Sequence, residues 1–511
     1  MPFNSYPYFV FLAVAVLGFR LLEKRSLTGR RVFLLLASYA FYAWWRADFL
    51  ILLCGSTLVN YAIGHQIEQR RARQHDRRAL LIAGLVFNLG LIATFKYDTL
   101  FVGTANDLLG LGLPVPHFFL PLAISFFTFE QISYLVDADA GKAHNYSLLD
   151  YALFVAYFPH LIAGPIVRHN DLIPQFRQLR AQNDDLATGV TLFTLGLAKK
   201  SLIADNLAPF ADAIFNAAGR GTHLGATDSW LGTLFFAFQI YFDFSAYSDM
   251  ALGSSAMLGI RLPVNFHSPY KSASILEFWR RWHISLSAFL RDYLYFPLGG
   301  NRRGRGRRYL NLFITMLLGG LWHGANWTFV VWGGLHGLYL SVNHGFRHFK
   351  GTEDGARSGN LFAWMTTIGA VLLAWVFFRA VNFTTAFAMI EAMAGRNGIT
   401  LPSGAAQLGT LAPGLVNALG ISFGGLTYLA AAGPLNLIWL PLGLLVCLAA
   451  PNLAGWLSPW RLALDVAPVK PATAGLLAWR PDGRWGMAVG ILLAFCAFYH
   501  QSTIQFLYFQ F

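Results

Sequence analysis

The sequence has few charged residues for its length. Charged side chains make up 12% of the 511 residues, whereas 56% are hydrophobic. Soluble domains carry about 25% charged residues, so this chain has only about half of the charged side chains that the surface of a soluble protein would need. Long apolar runs instead predict helices that face lipid. We therefore predict an all-α, polytopic transmembrane helix bundle with about eleven crossings plus re-entrant and interfacial helices.

Cysteine is also scarce. The three cysteines, Cys54, Cys447 and Cys496, lie far apart in apolar runs, which excludes a disulfide framework and a cysteine-based metal site. The chain has no glycine-rich phosphate loop, no G-x-S-x-G elbow and no H-E-x-x-H motif, which argues against an ATPase, a serine hydrolase or a zinc peptidase. We expect no metal and no permanently bound cofactor.

The net charge of +13 is concentrated in clusters, notably at residues 20–31 and 70–78. Because Lys and Arg accumulate in cytoplasmic loops, both clusters are predicted to be cytoplasmic and the N-terminus periplasmic. The first apolar run, residues 6–22, lacks a preceding basic residue and a following cleavage site, so we predict a retained spanning helix. Topology and contact with lipid headgroups account for the charge, and nucleic acid is not an expected partner.

Proline and glycine interrupt the apolar pattern at FPHLIAGPI, residues 158–166. Irregular backbone at membrane depth must be buried in protein or line a cavity, and His160 is predicted to fix it. We divide the chain into N-terminal transmembrane helices (1–136), a core segment (137–345) and C-terminal transmembrane helices (346–511). Two linkers are predicted, at 350–360 and 456–484. No internal repeat is visible, which disfavours a transporter built from inverted halves.

His323 lies in LLGGLWHGANW, residues 317–327. Burial among apolar groups disfavours the imidazolium, so such a histidine stays neutral and can accept a proton. The adjacent glycines 319, 320 and 324 allow a helix or a ligand to approach closely. Residue chemistry alone leaves two interpretations, a histidine that bridges two helices and a buried general base. His336, on a helix with Trp332, is predicted to be structural.

Arginines dominate EFWRRWHISLSAFLRDYLYFPLGGNRRGRGRR, residues 277–308, which also contains His283. Apolar residues at helical spacing predict one amphipathic helix at the cytoplasmic interface. Arg302, Arg303 and Arg305 follow on a glycine-containing stretch. They could anchor lipid headgroups, or they could bind a polyphosphate such as the nucleotide end of coenzyme A.

Carboxylates and hydroxyls mix with aromatic residues in IYFDFSAYSDMALG, residues 240–253. Ionisable residues in membrane segments indicate function by default, so this stretch is predicted to line a polar cavity. Asp243 and Tyr247 are its candidate lining residues. An ion- or proton-coupled transporter is the alternative that these acids allow, and it would make Asp243 or Asp249 more important than His323.

Together these motifs resemble the membrane-bound O-acyltransferase family, in particular its bacterial alginate O-acetylase branch. The resemblance extends over most of residues 1–380, and the pair RRWHISLS and GLWHGANW is its most specific part. The matching stretches are ASYAFYAWW (37–45), FPHLIAGPIVR (158–168), YFDFSAYSDMALG (241–253), EFWRRWHISLSAFLRDYLY (277–295), LGGNR (298–302), LLGGLWHGANW (317–327) and the ending FLYFQF.

The resemblance implies an acyltransferase whose catalytic core, 137–345, surrounds a tunnel across the bacterial inner membrane. The family's catalytic histidine corresponds to His323, and the second histidine of this branch corresponds to His283. Trp322 and Asn326 are further tunnel-lining candidates and possible donors to the oxyanion.

The implied reaction moves an acetyl group from cytoplasmic acetyl-CoA to hydroxyls of an exported polysaccharide such as alginate. The transfer is direct or passes through periplasmic acetyltransferase partner proteins. Another acceptor in the cell envelope, such as cellulose, peptidoglycan or teichoic acid, would use the same residues. Membrane lipids are the remaining expected partners.

Overall fold

Helices dominate the computed structural model, which describes residues 1–23, 25–116, 118–349, 361–401, 406–411, 413–424, 437–457, 460, 463–464, 478–499 and 506–507. The N-terminal helices are α1 (Tyr6–Leu21), α2 (Leu27–Ala43), α3 (Asp48–Ala72), α4 (Arg78–Lys96), α5 (Asp98–Leu109) and α6 (Ile124–Ala140). The linker predicted at 350–360, most of the one at 456–484 and the end of the FLYFQF motif lie outside the described residues.

The central part of the chain contains two π-helical turns, Lys199–Ala204 and Arg291–Tyr295, and one 3-10 turn, Pro269–Lys271, between its α-helices. They are α7 (Leu148–Ala156), α8 (Phe158–Leu161), α9 (His169–Phe176), α10 (Asn183–Ala198), α11 (Asp205–Gly219), α12 (Ala226–Met257), α13 (Ile275–Arg281), α14 (Ile284–Leu290), α15 (Arg305–His323) and α16 (Trp327–Phe349).

The C-terminal part adds helices and one small sheet, in which β1 (Ile399–Leu401) pairs in parallel with β2 (Ile421–Phe423). Its helices are α17 (Leu361–Arg379), α18 (Phe383–Met393), α19 (Ala406–Leu411), α20 (Pro413–Ala418), α21 (Trp439–Ala449), α22 (Leu453–Trp456) and α23 (Gly483–Phe498).

Four segments of the described residues are long and apolar enough to cross a membrane: Asp48–Ala72, Arg78–Lys96, Asn183–Gly219 and Leu361–Arg379. Large apolar side chains on these helices are exposed, for example Ile51 and Phe362, as lipid contact requires. The predicted all-α class with several apolar helices is confirmed. The crossing count and the division into three segments stay predictions.

The broken backbone predicted at residues 158–166 is confirmed. α7 ends at Ala156, and the next helix, α8, is only four residues long. His160 Nε2 donates to the carbonyl oxygen of Phe154 at 3.1 Å, and its Nδ1 lies 3.1 Å from Glu130 Oε1. His160 therefore ties α8 to both α7 and α6, which is the role predicted for it.

The single amphipathic helix predicted within residues 277–308 was wrong. The chain breaks at His283, which has φ +41° and separates α13 from α14. Phe278 and Trp282, expected at the lipid interface, are 0% and 1% exposed and pack inside the protein. Few non-glycine residues adopt positive φ, so the spacing of the apolar residues gave no sign of this break.

Glycines bring α15 and α16 into backbone contact. A Cβ atom added at Gly320 would lie 2.2 Å from the carbonyl oxygen of Phe329, and one added at Gly333 would lie 2.2 Å from that of Met316. Small residues at a helix interface permit this approach and the packing that follows from it. The helix that ends at His323 is thus held against α16 with no room for a methyl group.

We expect Gly333→Ala to lower the free energy of unfolding by about 1–3 kcal/mol, because the new methyl group overlaps the α15 backbone. Thermal unfolding of the purified protein in detergent measures this change. Gly334→Ala is the matched control, since its Cβ would lie 3.5 Å from the nearest atom, an ordinary contact. Equal melting temperatures for the two variants would contradict the interpretation.

Candidate active site

Two buried histidines lie beside each other, one at the end of a helix and one at the start of another. His323 is the last residue of α15, and His283 immediately precedes α14. Their ring centroids are 6.4 Å apart, and the side chains are 4% and 0% exposed respectively. The ring of Trp322 packs against both. Folding therefore combines the two histidine motifs into one site.

The carboxamide of Asn265 sets the protonation of His283. The backbone N–H of Ser285 donates to Asn265 Oδ1 at 3.3 Å, which identifies that atom as an acceptor. His283 Nδ1 lies 3.3 Å from the same oxygen, so Nδ1 carries the proton and donates. In a neutral imidazole Nε2 is then unprotonated. Within the described structure this buried Nε2 has no hydrogen-bond partner, so the protein itself does not use its lone pair.

The broken segment after α8 supports the same network. Its Ile166 N–H donates to Ser285 Oγ at 2.9 Å, and Ser285 Oγ donates to Asn265 Oδ1 at 2.6 Å. Ile166 can make this contact because its N–H is not used inside a helix. The irregular backbone therefore contributes a donor that positions Ser285 and, through Asn265, His283.

Aromatic rings enclose His323. The centroids of Trp332 and Phe378 lie 5.0 and 5.3 Å from the imidazole centroid. Lys96 Nζ donates to the backbone carbonyl of His323 at 3.1 Å and so holds the end of α15. A cavity of about 270 Å³, the histidine cavity, lies against His323, Trp322, Lys96, Ser125, Phe126 and Trp45.

A second cavity, of about 550 Å³, lies among α13, α14, α15 and α16. We call it the arginine cavity because Arg280, Arg291 and Arg308 line it. Leu312 and Met316 of α15 form part of its apolar wall.

Residues on one face of α15 border both cavities. Residues 312, 316, 319 and 323 follow helical spacing, so they share a face. The first two border the arginine cavity and the last borders the histidine cavity. The axial rise from Met316 to His323 is roughly 10 Å. Gly319 lies between them, and a Cβ added there would be 3.0 Å from Leu290.

Asp243 and Tyr247 belong to a different part of the core. Asp243 forms an ion pair with Lys200 at 2.6 Å, with both side chains 3% exposed. Tyr247 stacks between Phe3 and Phe506, with each pair of centroids 4.5 Å apart. Neither residue borders the histidine cavity or the arginine cavity.

The remaining predicted residues lie near the two cavities. Asn326 Oδ1 accepts from the backbone N–H of Thr328 at 3.0 Å, and its Nδ2 donates to the carbonyl of Val381 at 2.8 Å. The three residues predicted to bind phosphate are exposed: Arg302 and Arg303 lie on the turn before α15, and Arg305 is its first residue. Arg308 of the same run borders the arginine cavity instead, with Nη2 2.7 Å from His344 Nδ1.

Several residues of the site had no distinctive sequence signal. Asn265 and Ser125 are ordinary polar residues in apolar surroundings, and their partners are distant in the chain. Lys96 ends a predicted spanning helix, where a lysine at the interface is common. In the described part of the chain no three His, Cys, Asp or Glu residues are grouped as metal ligands.

Residues 117–381 match the sequence profile of the membrane-bound O-acyltransferase family. The chain belongs to this family and is an O-acyltransferase, which confirms the resemblance seen in its motifs. It is 47% identical to the probable alginate O-acetylase AlgI of Pseudomonas aeruginosa over 371 aligned residues. These residues cover 71% of this chain and 69% of that protein.

Two further relatives have other acceptors in their names. The peptidoglycan O-acetyltransferase of Helicobacter pylori is 42% identical over 423 residues, which cover 77% of this chain and 79% of the relative. A teichoic acid D-alanyltransferase of Streptococcus thermophilus is 28% identical over 255 residues, which cover 47% and 60%.

We expect His283 to be the Nδ1–H tautomer, detectable by the nitrogen chemical shifts of ¹⁵N-histidine-labelled protein, with His283→Ala to assign the signal. Asn265→Leu removes the acceptor and should allow the Nε2–H form. His336 is the internal control, because its Nδ1 accepts from Trp279 Nε1 at 3.3 Å and its proton must therefore be on Nε2. The same tautomer at both histidines would contradict this assignment.

Proposed function

We propose that this enzyme transfers an acetyl group from cytoplasmic acetyl-CoA to a hydroxyl of an exported polysaccharide such as alginate, in the bacterial inner membrane. The observation that carries the proposal is the buried histidine pair, in which His323 borders the histidine cavity at the end of the α15 face that also borders the arginine cavity, with His283 beside it. The O-acetylases among its relatives support acetyl as the transferred group. A periplasmic partner protein can carry the acetyl group onward to the polymer.

The proposed orientation follows the distribution of charge. Basic clusters at 20–31 and 70–78 are assigned to the cytoplasm, with the N-terminus in the periplasm. α4 begins next to the second cluster and ends at Lys96, so the histidine cavity opens toward the periplasm. The arginine cavity adjoins the first half of α15 and opens toward the cytoplasm.

The proposed mechanism is direct acyl transfer with His323 as the general base. Its imidazole takes the proton of the acceptor hydroxyl while the hydroxyl oxygen attacks the thioester carbonyl. The tetrahedral intermediate then breaks the C–S bond, and the imidazolium returns the proton to the leaving thiolate. The products are an acetyl ester and free coenzyme A, with no net proton uptake.

His283 is proposed to orient the acceptor, because its unprotonated Nε2 can accept a hydrogen bond from a hydroxyl. The oxyanion requires donors. Trp322 and Asn326 are the candidates, and among the described residues the indole N–H of Trp322 makes only a long hydrogen bond, 3.5 Å, to the carbonyl of Ser125.

Acetyl-CoA is proposed to enter through the arginine cavity. Guanidinium groups pair well with phosphate oxygens, so the three arginines of this cavity suit the nucleotide end of the donor. The apolar wall along α15 suits the pantetheine arm, with the thioester directed toward His323. Further positive charge is proposed to come from Arg302, Arg303 and Arg305, which are exposed and follow Asn301 of the cavity lining.

We expect His323→Ala to lower acetyl transfer by about 10²–10⁴-fold, the usual effect of losing a general base. The measurement is incorporation of labelled acetyl groups by purified protein into alginate, cellulose, peptidoglycan and teichoic acid. His336→Phe is the matched control, because Trp332 packs against both histidines and both are buried. Normal acetylation by a stably inserted His323→Ala protein would contradict the proposed base.

We expect Arg308→Ala to raise the KM for acetyl-CoA about tenfold, roughly the loss of one charge-assisted hydrogen bond. The KM for acetyl-pantetheine, which lacks the nucleotide phosphates, should not change. Arg302→Ala should have a smaller effect because its exposed charge is screened by solvent and salt. An equal loss with both donors would show that Arg308 acts on the fold rather than on phosphate.

A further inference from the structure

The π-helical turn Arg291–Tyr295 contains an acid, Asp292, to which the proposed acyl transfer gives no role. Arg291 Nε donates to Asp292 Oδ1 at 2.7 Å, and Arg291 Nη2 donates to Asp292 Oδ2 at 3.0 Å. Arg291 borders the arginine cavity, whereas Asp292 is not part of the cavity wall. The charge of one cavity arginine is therefore compensated by a carboxylate that lies outside the cavity lining.

The pairing is unusual for two adjacent residues. Side chains one position apart on a helix do not normally face each other, so Arg291 has to turn along the chain to reach its neighbour. π-helical turns are rare and occur often at functional sites. Arg308, a second arginine of the same cavity, is held differently, because its Nη2 donates to His344 Nδ1, the unprotonated nitrogen of a neutral ring, at 2.7 Å.

A second arginine contacts the same carboxylate. Arg168, the residue before α9, donates from Nη2 to Asp292 Oδ2, and its guanidinium carbon lies 5.6 Å from the ring centroid of Tyr293. The hydroxyl of Tyr293 donates to Asp137 Oδ2 at 2.7 Å, which ties this ring to α6. Arg168 does not border the arginine cavity. Asp292 consequently keeps a cationic partner when Arg291 leaves it.

The ion pair of Arg291 and Asp292 is weak enough to be exchanged for another anion. The side chain of Arg291 is 57% exposed and that of Asp292 is 20% exposed. Ion pairs at such exposure contribute little to stability, because water and salt screen them. Phosphate accepts from a guanidinium in the same two-point geometry as a carboxylate, and a phosphate monoester carries more negative charge. A phosphate that enters the cavity can therefore take Arg291 from Asp292.

We propose that Asp292 is a resident counter-ion of Arg291 that competes with the phosphates of the acyl donor, so that it weakens donor binding and favours release of coenzyme A. The inference rests on the proposed function, because it requires that acetyl-CoA occupy the arginine cavity. Without a ligand, Arg291 pairs with Asp292. With the donor bound, Arg291 pairs with phosphate and Arg168 alone neutralises Asp292.

Calorimetric titration of the purified protein in nanodiscs with coenzyme A tests the inference without a transfer step. Asp292→Asn removes the charge and keeps the shape of the side chain. We expect it to bind coenzyme A about two- to fivefold more tightly than wild type, the range for an exposed ion pair. Pantetheine, which has no phosphate, should bind both proteins equally. A purely structural role of Asp292 gives the opposite sign, since a disturbed turn binds each ligand less well.

Arg168 provides the complementary result. Arg168→Met should bind coenzyme A about two- to fivefold more weakly, because Asp292 then loses its remaining cation when Arg291 pairs with phosphate. This weakening should vanish in the double variant Asp292→Asn, Arg168→Met, which has no carboxylate left to neutralise. The non-additive effect of the two substitutions measures their coupling.

Glu277→Gln is the matched control for overall charge. Glu277 lies in the same arginine-rich stretch and pairs with Arg281 at 2.7 Å. Neither residue borders the arginine cavity. The substitution removes one negative charge without releasing a cavity arginine, so it should change the affinity for coenzyme A by less than about twofold.

The outcomes distinguish this inference from the proposed function. Absence of coenzyme A binding by wild type would contradict the proposed donor site and this inference with it. Binding by wild type, together with equal or weaker binding by Asp292→Asn, would overturn this inference alone. Equal tightening by Glu277→Gln would do the same, since the effect would then be one of overall charge. If Asp292→Asn fails to fold, an unchanged affinity of Arg168→Met decides against the inference.

Discussion

The carboxamide oxygen of Asn265 is the contact on which the geometry of the histidine pair depends. It accepts from His283, from the backbone of Ser285 and from the hydroxyl of Ser285. In an apolar interior each of these groups must find a partner inside the protein, because water is not available to replace it. One acceptor oxygen therefore fixes the turn at His283, the tautomer of its ring and the position of the segment that follows α8.

A second constraint is the close packing of α15. Glycines at 320 and 333 allow this helix to lie directly against α16, and the same helix runs from the arginine cavity to the histidine cavity. Because the rise per residue of a helix is fixed, the number of residues between the proposed phosphate-binding end and the proposed reacting end sets the distance between them. The donor and the acceptor are proposed to meet at His323 for this reason, each entering from its own side.

Much of this arrangement could be predicted from the residues. The shortage of charge and the long apolar runs predicted a helical membrane protein, and prolines with glycine predicted the broken backbone at 158–166. His323 and His283 were identified from two motifs that the fold brings together. The helix predicted through His283 failed because periodic apolar residues report which side chains are buried. They do not report whether the helix between them is broken.

Polar residues were harder to assign. Asp243 and Tyr247 occur in a stretch that mixes acids with aromatic residues, and that pattern is the same for a cavity wall and for a buried ion pair beside an aromatic stack. Their partners, Lys200 for one and Phe3 and Phe506 for the other, come from distant parts of the chain. Local composition cannot distinguish these cases, because the difference lies in which segments become neighbours.

The sequence by itself determined the class of protein, the helical membrane fold and the two histidines, since composition and short motifs are properties of contiguous residues. Only the tertiary structure decided which nitrogen of His283 is free, which arginines border a cavity and that Lys96 lies beside His323. Those features depend on hydrogen bonds and charges between residues that are far apart in the chain. Such residues come close to each other only when the helices pack.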